Sequence, residues 1–249
     1  MLAGTPVTLD HVFFFVMILV SPFVDLFWLY PWLTRATAAG VPGARRWAYL
    51  VGILGQWMGT ACVIALWVAY ARPWTALRLG AGSPLGLGIG LALAAAFIAL
   101  LGLQRRALFA RPERLDLVLR QIGNAGPLLP RTPGELRGFM LLSITAGICE
   151  ELIYRGFAIW YLSAWTGLAG AVAVSSILFG AGHLYLDRRS AIKAGIVGAV
   201  MAGIVILSGS LWPAMLLHAA IDMNSGSLTF RALTRAREGS PGPGLPAVA

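Results

Sequence analysis

The sequence predicts an all-α fold: a polytopic integral membrane protein with about seven transmembrane helices and an active site within the helix bundle. Three observations lead to this prediction. Of the 249 residues, 58% are hydrophobic and only 12% are charged, which is typical of membrane proteins. Several apolar runs approach or exceed about 20 residues, the length that a helix needs to cross the hydrocarbon core. The basic residues between these runs are distributed very unequally.

Seven spans are predicted from the apolar runs and from the turn residues between them. They cover residues 11–32, 47–71, 84–103, 135–165, 168–186, 191–207 and 211–228. The N-terminus lacks a basic region and a small-residue cleavage site, so the first span is expected to be retained rather than removed as a signal peptide. Thr132, Pro133 and Glu135 form a start signal for the fourth helix, and Gly167 marks the turn after it.

The chain is expected to form one domain with four segments. Residues 1–103 are a three-span N-terminal segment, and residues 104–134 are a cytoplasmic connection with an amphipathic surface helix at about 114–122. Residues 135–230 are a four-span core that contains the candidate catalytic residues. Residues 231–249 are expected to be a disordered cytoplasmic tail, because they are rich in Gly and Pro.

Lysine and arginine positions predict the orientation. Of the nineteen basic residues, sixteen fall on one side of the predicted spans and two, Arg72 and Arg78, on the other. The positive-inside rule then places the N-terminus outside and the C-terminus in the cytoplasm of a multi-pass protein of the cytoplasmic membrane. The net charge of +9 follows this topology, and no basic stripe or aromatic platform accompanies it, so nucleic acid is not expected as a partner.

The fourth span contains two adjacent carboxylates, and these are the strongest functional signal. A charged side chain costs several kcal/mol in hydrocarbon, so an intramembrane ionisable group indicates a functional site. Glu151 and Arg155 are four residues apart and are predicted to pair on one helix face. Glu150 lies about 100° around the helix and lacks this partner. Glu150 is therefore the candidate for chemistry, while Glu151 and Arg155 are predicted to support it.

Two histidines and an aspartate in later spans are the other candidates. His183 lies in the fifth span, four residues after Phe179, and His218 lies in the seventh span, four residues before Asp222. Polar groups buried in separate helices are expected to face a common interior or cavity rather than lipid. A carboxylate, two imidazoles and Asp222 would suffice to activate a water molecule and stabilise an oxyanion. Asp222 is expected to orient the His218 ring or to position the substrate.

These motifs resemble a known family. Glu150-Glu151-x-x-x-Arg155, Phe179-x-x-x-His183 and His218-x-x-x-Asp222 are similar, in order and in membrane context, to the three motifs of the CAAX protease and bacteriocin-processing (abortive-infection) family of intramembrane proteases, relatives of the type II CAAX prenyl endopeptidases. The resemblance covers residues 135–228. The third motif often ends in Asn; with Asp222, a variant common in bacterial members, it stays open whether this position donates a hydrogen bond, orients His218 or binds a metal.

The resemblance implies a role for each of these residues. Glu150 would be the general base that activates water, with His183 assisting, while His218 and Asp222 would stabilise the tetrahedral intermediate. The family has been described both as glutamic proteases and as metalloproteases. No cofactor is expected, although Zn²⁺ bound by His183, His218, Glu150 and Asp222 is an open alternative. The composition suggests a bacterium with GC-rich DNA, which favours a membrane-anchored peptide or protein tail over a prenylated substrate.

Two functions from other classes remain as alternatives. A non-catalytic relative acting in immunity or as a membrane chaperone would be indifferent to replacement of Glu150 or His183. A small proton-coupled transporter would use the same residues as a proton relay, but no inverted repeat relates the two halves of the chain. A rhomboid-type serine protease is disfavoured because no serine lies in a matching Gly-x-Ser-x context.

Overall fold

A computed structural model describes residues 4–110, 118–119 and 122–238, with the side chain of Glu238 excepted. Within these residues the chain is helical, without β-strands, and the predicted all-α class is confirmed. Most of the predicted surface helix at 114–122, and the end of the chain from residue 239, lie outside the described residues.

Seven helices are defined in the described part of the chain. One helical stretch, Pro133–Ala181, is interrupted at Gly167, whose φ of 66° and ψ of 176° are not helical, and is counted as two helices. The helices are α1 (Thr8–Ala38), α2 (Ala44–Ala69), α3 (Pro84–Phe109), α4 (133–166), α5 (168–181), α6 (Arg188–Ser208) and α7 (Trp212–Glu238). Helix α4 begins at the predicted capping box, where Thr132 and Glu135 exchange hydrogen bonds.

Contacts between loops group the helix ends into two sets. At one end, Arg72 donates to Asp10 at 2.8 Å, and the backbone N–H of Leu211 donates to the carbonyl of Arg78. At the opposite end, three side chains donate hydrogen bonds to backbone carbonyls: Tyr49 to Leu128, Asn124 to Leu186 and Arg237 to Arg131.

Helix α4 lies at the centre of the fold, between α2 and α7, while α6 packs on α5 and α3. The main buried cluster contains Trp67 of α2, Phe157 and Trp160 of α4, Met201 of α6 and Leu217 of α7. Close approach of α4 to α7 depends on Gly147, because a Cβ there would lie 2.7 Å from the backbone nitrogen of Ala219. This approach brings the α4 carboxylates next to the polar residues of α7.

The number of spans is supported only in part. Five helical stretches within the described residues are long and apolar enough to cross a membrane, namely Thr8–Ala38, Ala44–Ala69, Pro84–Phe109, Pro133–Ala181 and Arg188–Ser208. Helix α7 is not among them, because its polar residues lower its hydropathy. A multi-pass membrane protein follows from these helices, while the seven-span count and the orientation stay predictions.

Two predicted boundaries are wrong. The fifth span was expected to reach residue 186, but its helix ends at Ala181 and turns follow. The disordered tail was expected from residue 231, but α7 continues to Glu238. This extension is stabilised by packing, since Ala232 is buried beside Leu228 and Phe109, an apolar contact that the Gly and Pro content of the tail does not reveal.

Candidate active site

The adjacent carboxylates lie where the hydrogen bonding of α4 changes. Residues Pro133–Glu150 are α-helical, and Glu151–Ala158 form a π-helical stretch before α-helix resumes at Ile159. A π-helical stretch widens the helix locally, and such stretches occur frequently at functional sites. As predicted, the two carboxylates face different surroundings.

Glu151 is fully buried and lies between two basic partners. Arg155 Nη1 donates to its Oε1 at 3.0 Å, which confirms the predicted pair. Nδ1 of His218 lies 2.8 Å from the same oxygen. Since an ionised carboxylate only accepts hydrogen bonds, Nδ1 of His218 carries the proton in this contact. Glu151 therefore connects α4 with α7 and fixes the orientation of the His218 ring.

Arg155 contacts Glu151 and Phe179 and lies against Gly198 of α6. Its guanidinium lies 4.0 Å from the centre of the Phe179 ring, in addition to its bond with Glu151. A Cβ added at Gly198 of α6 would lie 2.7 Å from Nη2 and 3.1 Å from the Phe179 ring. Gly198 thus leaves the space that the guanidinium occupies. Gly203 of the same helix, by contrast, has nothing within 4 Å of its Cβ position.

The other nitrogen of His218 faces the remaining two carboxylates. Its Nε2 lies 3.8 Å from Oε2 of Glu150 and 3.7 Å from Oδ2 of Asp222. These distances are too long for direct hydrogen bonds, but both carboxylates lie within 4 Å of the same His218 nitrogen. Asp222 was expected either to orient His218 or to position the substrate. In the structure Glu151 orients the ring, while the Asp222 side chain remains 37% exposed.

His183 lies in the turn after α5, on the same side as Glu150. Its Nδ1 contacts the carbonyl oxygen of Phe179 at 2.9 Å, and a carbonyl can only accept, so Nδ1 donates. In the neutral ring, Nε2 then keeps its lone pair for a water or substrate proton. Its ring is 4.9 Å from that of Phe179, which also lies 5.8 Å from the His218 ring. Phe179 therefore lies near both imidazoles.

A cavity of about 820 Å³ gives access to Glu150 and His183. Its wall comes mainly from α1, α2 and α4 and is largely apolar. Besides Glu150 and His183, its polar lining includes Asp25, Tyr30, Arg35, Gln56, Tyr154 and Tyr185. Asp25 of α1 is thus a carboxylate that lines this cavity.

Gln56 is the site residue that the sequence analysis missed. From α2, its Nε2 donates to Oε1 of Glu150 at 2.9 Å. An amide within an apolar span is itself a signal of an internal polar partner, and this signal was available in the sequence. Its partner was not, because the two residues are separated by 94 positions.

The candidate metal ligands do not form a metal site as they are arranged. Among the described residues, no three His, Cys, Asp or Glu side chains lie close enough together to hold an ion. Nδ1 of His218 contacts Glu151, and Nδ1 of His183 contacts the carbonyl oxygen of Phe179, so each ring keeps only Nε2 for another partner. The polar groups that remain suit hydrogen bonding to water and to a carbonyl oxygen.

Comparison with protein-family models identifies the part of the chain that holds this site. Residues 132–224 match the family described as type II CAAX prenyl endopeptidase Rce1-like. Comparison with curated proteins and with solved structures gave no match. The matched segment includes all three motifs, from Glu150 to Asp222. The part of the chain that holds the three motifs is therefore similar to the type II CAAX prenyl endopeptidases, a family of proteases.

Proposed function

We propose that the protein is an intramembrane endopeptidase that hydrolyses a peptide bond of a membrane-anchored protein or peptide with a water molecule activated by Glu150. One observation carries this proposal: Glu150 lines the same cavity as His183 and lies 3.8 Å from His218, while Oε1 of the adjacent, fully buried Glu151 binds both Arg155 and His218. The chain thus keeps one intramembrane carboxylate accessible and uses the other for support.

The proposed reaction begins with a water molecule beside Glu150. Glu150 removes a proton as the water oxygen attacks the scissile carbonyl carbon, and a tetrahedral oxyanion forms. His218, as the doubly protonated imidazolium, donates from Nε2 to this oxyanion, while its Nδ1 donates to Glu151, which fixes the orientation of the ring. The proton held by Glu150 then passes to the leaving amine as the C–N bond breaks. His183 assists by accepting a hydrogen bond from the water at Nε2.

We further propose that this hydrolysis needs no metal ion. The arrangement supports this: His218, Glu150 and Asp222 face one another, but no three of the described His, Cys, Asp and Glu side chains are placed so that they could hold an ion. The substrate is proposed to be anchored in the same bilayer, because the cavity wall is largely apolar and consists of predicted spanning helices. The proposed setting is the cytoplasmic membrane, with the N-terminus outside and the C-terminus in the cytoplasm.

Comparison of peptide termini tests the proposed function. Membrane fractions from cells with the wild type or the Glu150→Gln variant would be analysed for new N- and C-termini. Glutamine nearly preserves the shape of the side chain but cannot accept the proton. Specific termini present only with the wild type would support the proposal and identify the substrate. Identical termini in the two fractions, with the same protein level, would refute it.

A further inference from the structure

Gln56 and Glu150 are in contact, but only Glu150 lies in the segment that matches the family model. Gln56 lies in α2, whereas the matched segment begins at residue 132. Its Nε2 donates to Oε1 of Glu150 at 2.9 Å, a good length for an N–H···O bond. The three-span N-terminal segment therefore contacts the proposed general base directly.

The direction of this hydrogen bond matches an ionised Glu150. A carboxylate can only accept, and the amide presents its N–H to it rather than its carbonyl oxygen. This bond also distinguishes the two carboxylate oxygens. Oε1 is occupied by Gln56, while Oε2 faces Nε2 of His218. Oε2 is thus the oxygen left to take a proton from water.

The other end of the amide is not stabilised in the same way. Oε1 of Gln56 is buried and has no hydrogen-bond partner among the described residues. A buried acceptor without a partner is destabilising, so the amide of Gln56 lowers the stability of the fold. Stability of the fold alone would favour an apolar side chain of the same length at position 56.

We infer that Gln56 is a positioning residue for Glu150: it fixes the carboxylate and directs Oε2 toward the reacting water. This inference rests on the proposed function, because it assigns Gln56 a task only if Glu150 is the base. It also makes the N-terminal segment part of the active site, although the three motifs lie elsewhere.

The Gln56→Met variant tests this inference. Methionine keeps the length of the side chain and removes both the donor and the buried acceptor. We expect kcat for a quenched membrane peptide, with the cleavage sequence found by terminal comparison, to fall about 10- to 100-fold. KM is expected to change less than about twofold, since the substrate is not bound by Gln56. The thermal unfolding midpoint is expected to stay the same or rise. Leu54→Met, on the exposed side of the same helix, is the matched control.

Infrared spectroscopy of the purified full chain provides a readout without a substrate. The difference spectrum between the wild type and Glu150→Gln isolates the carboxylate band of Glu150. We expect this band to shift when the same pair is compared in the Gln56→Met background, and to stay in place in the Leu54→Met background.

The outcomes separate the two hypotheses. If Glu150→Gln is inactive while Gln56→Met retains full kcat, the positioning role is refuted and the proposed function stands. If Glu150→Gln cleaves the peptide normally, the proposed function itself fails. A Gln56→Met variant whose kcat and unfolding midpoint fall together, with an unshifted band, would show a purely structural role.

Discussion

Replacement of Gly198 by alanine tests whether the ion pair of Glu151 with Arg155 is needed for activity and stability. The added Cβ would lie 2.7 Å from Nη2 of Arg155, where ordinary contact begins at 3.4 Å. The guanidinium must therefore move by several tenths of an ångström, although its centre already lies 4.0 Å from the Phe179 ring, which the new Cβ would also crowd. Its 3.0 Å bond to Glu151 then lengthens or breaks. A hydrogen bond to a charged group contributes about 1.5–3 kcal/mol, which corresponds to about 10- to 150-fold in rate if it is lost in the transition state.

The matched control is Gly203→Ala in the same helix, where nothing lies within 4 Å of the new Cβ. Both variants gain the helix propensity of alanine, about 1 kcal/mol in soluble helices, so their difference isolates the contacts of the new Cβ with Arg155 and Phe179. Thermal unfolding in detergent and cleavage of the membrane peptide would be measured for both. We expect Gly198→Ala to lose activity and stability relative to Gly203→Ala. Equal behaviour of the two variants would refute the claim that Arg155 and Glu151 need this close packing.

Three further predictions concern other parts of the molecule. Arg72→Met should lower the free energy of unfolding by about 3–5 kcal/mol, because it leaves the buried Asp10 carboxylate without its partner; denaturation in detergent measures this, and an unchanged midpoint would contradict it. Asp187 caps α6, and hydrogen bonds from Ser190 lower the pKa of its carboxyl. Because this pKa is lower in the folded state, the stabilisation is present above about pH 4 and is lost as pH falls further. Asp187→Asn should therefore flatten the acid limb of the unfolding midpoint plotted against pH, and a limb identical to the wild type would exclude this role. Treatment with a chelator should leave cleavage unchanged, whereas a loss of activity restored by Zn²⁺ would overturn the metal-free proposal.

The positions and ends of the helices were predictable where residues close in sequence determine them. Apolar runs gave the helices, and Thr132 with Glu135 marked the start of α4, since both are local signals. The end of α5 was missed because Gly182 and His183 lie in an apolar context although the chain turns there. The length of α7 was missed because its last turns are stabilised by a distant contact with Phe109.

In the candidate site, contacts within one helix were predictable, whereas contacts between distant residues were not. The pair of Glu151 with Arg155 follows from spacing on one helix and is present. The contact of Glu151 with His218 and that of Gln56 with Glu150 join residues 67 and 94 positions apart, and no local pattern specifies them. Which carboxylate orients His218 was therefore beyond the sequence, since Glu150, Glu151 and Asp222 all lie near the ring.

Hydrolysis in ¹⁸O-labelled water tests the central claim most directly. The purified full chain in liposomes would be given the membrane peptide, with Glu150→Gln in parallel, and the product carboxylates would be analysed by mass spectrometry. Water-mediated cleavage by Glu150 predicts one ¹⁸O in the new C-terminal carboxylate with the wild type and no cleaved product with Glu150→Gln. Cleavage by the variant at the rate of the wild type would contradict the account.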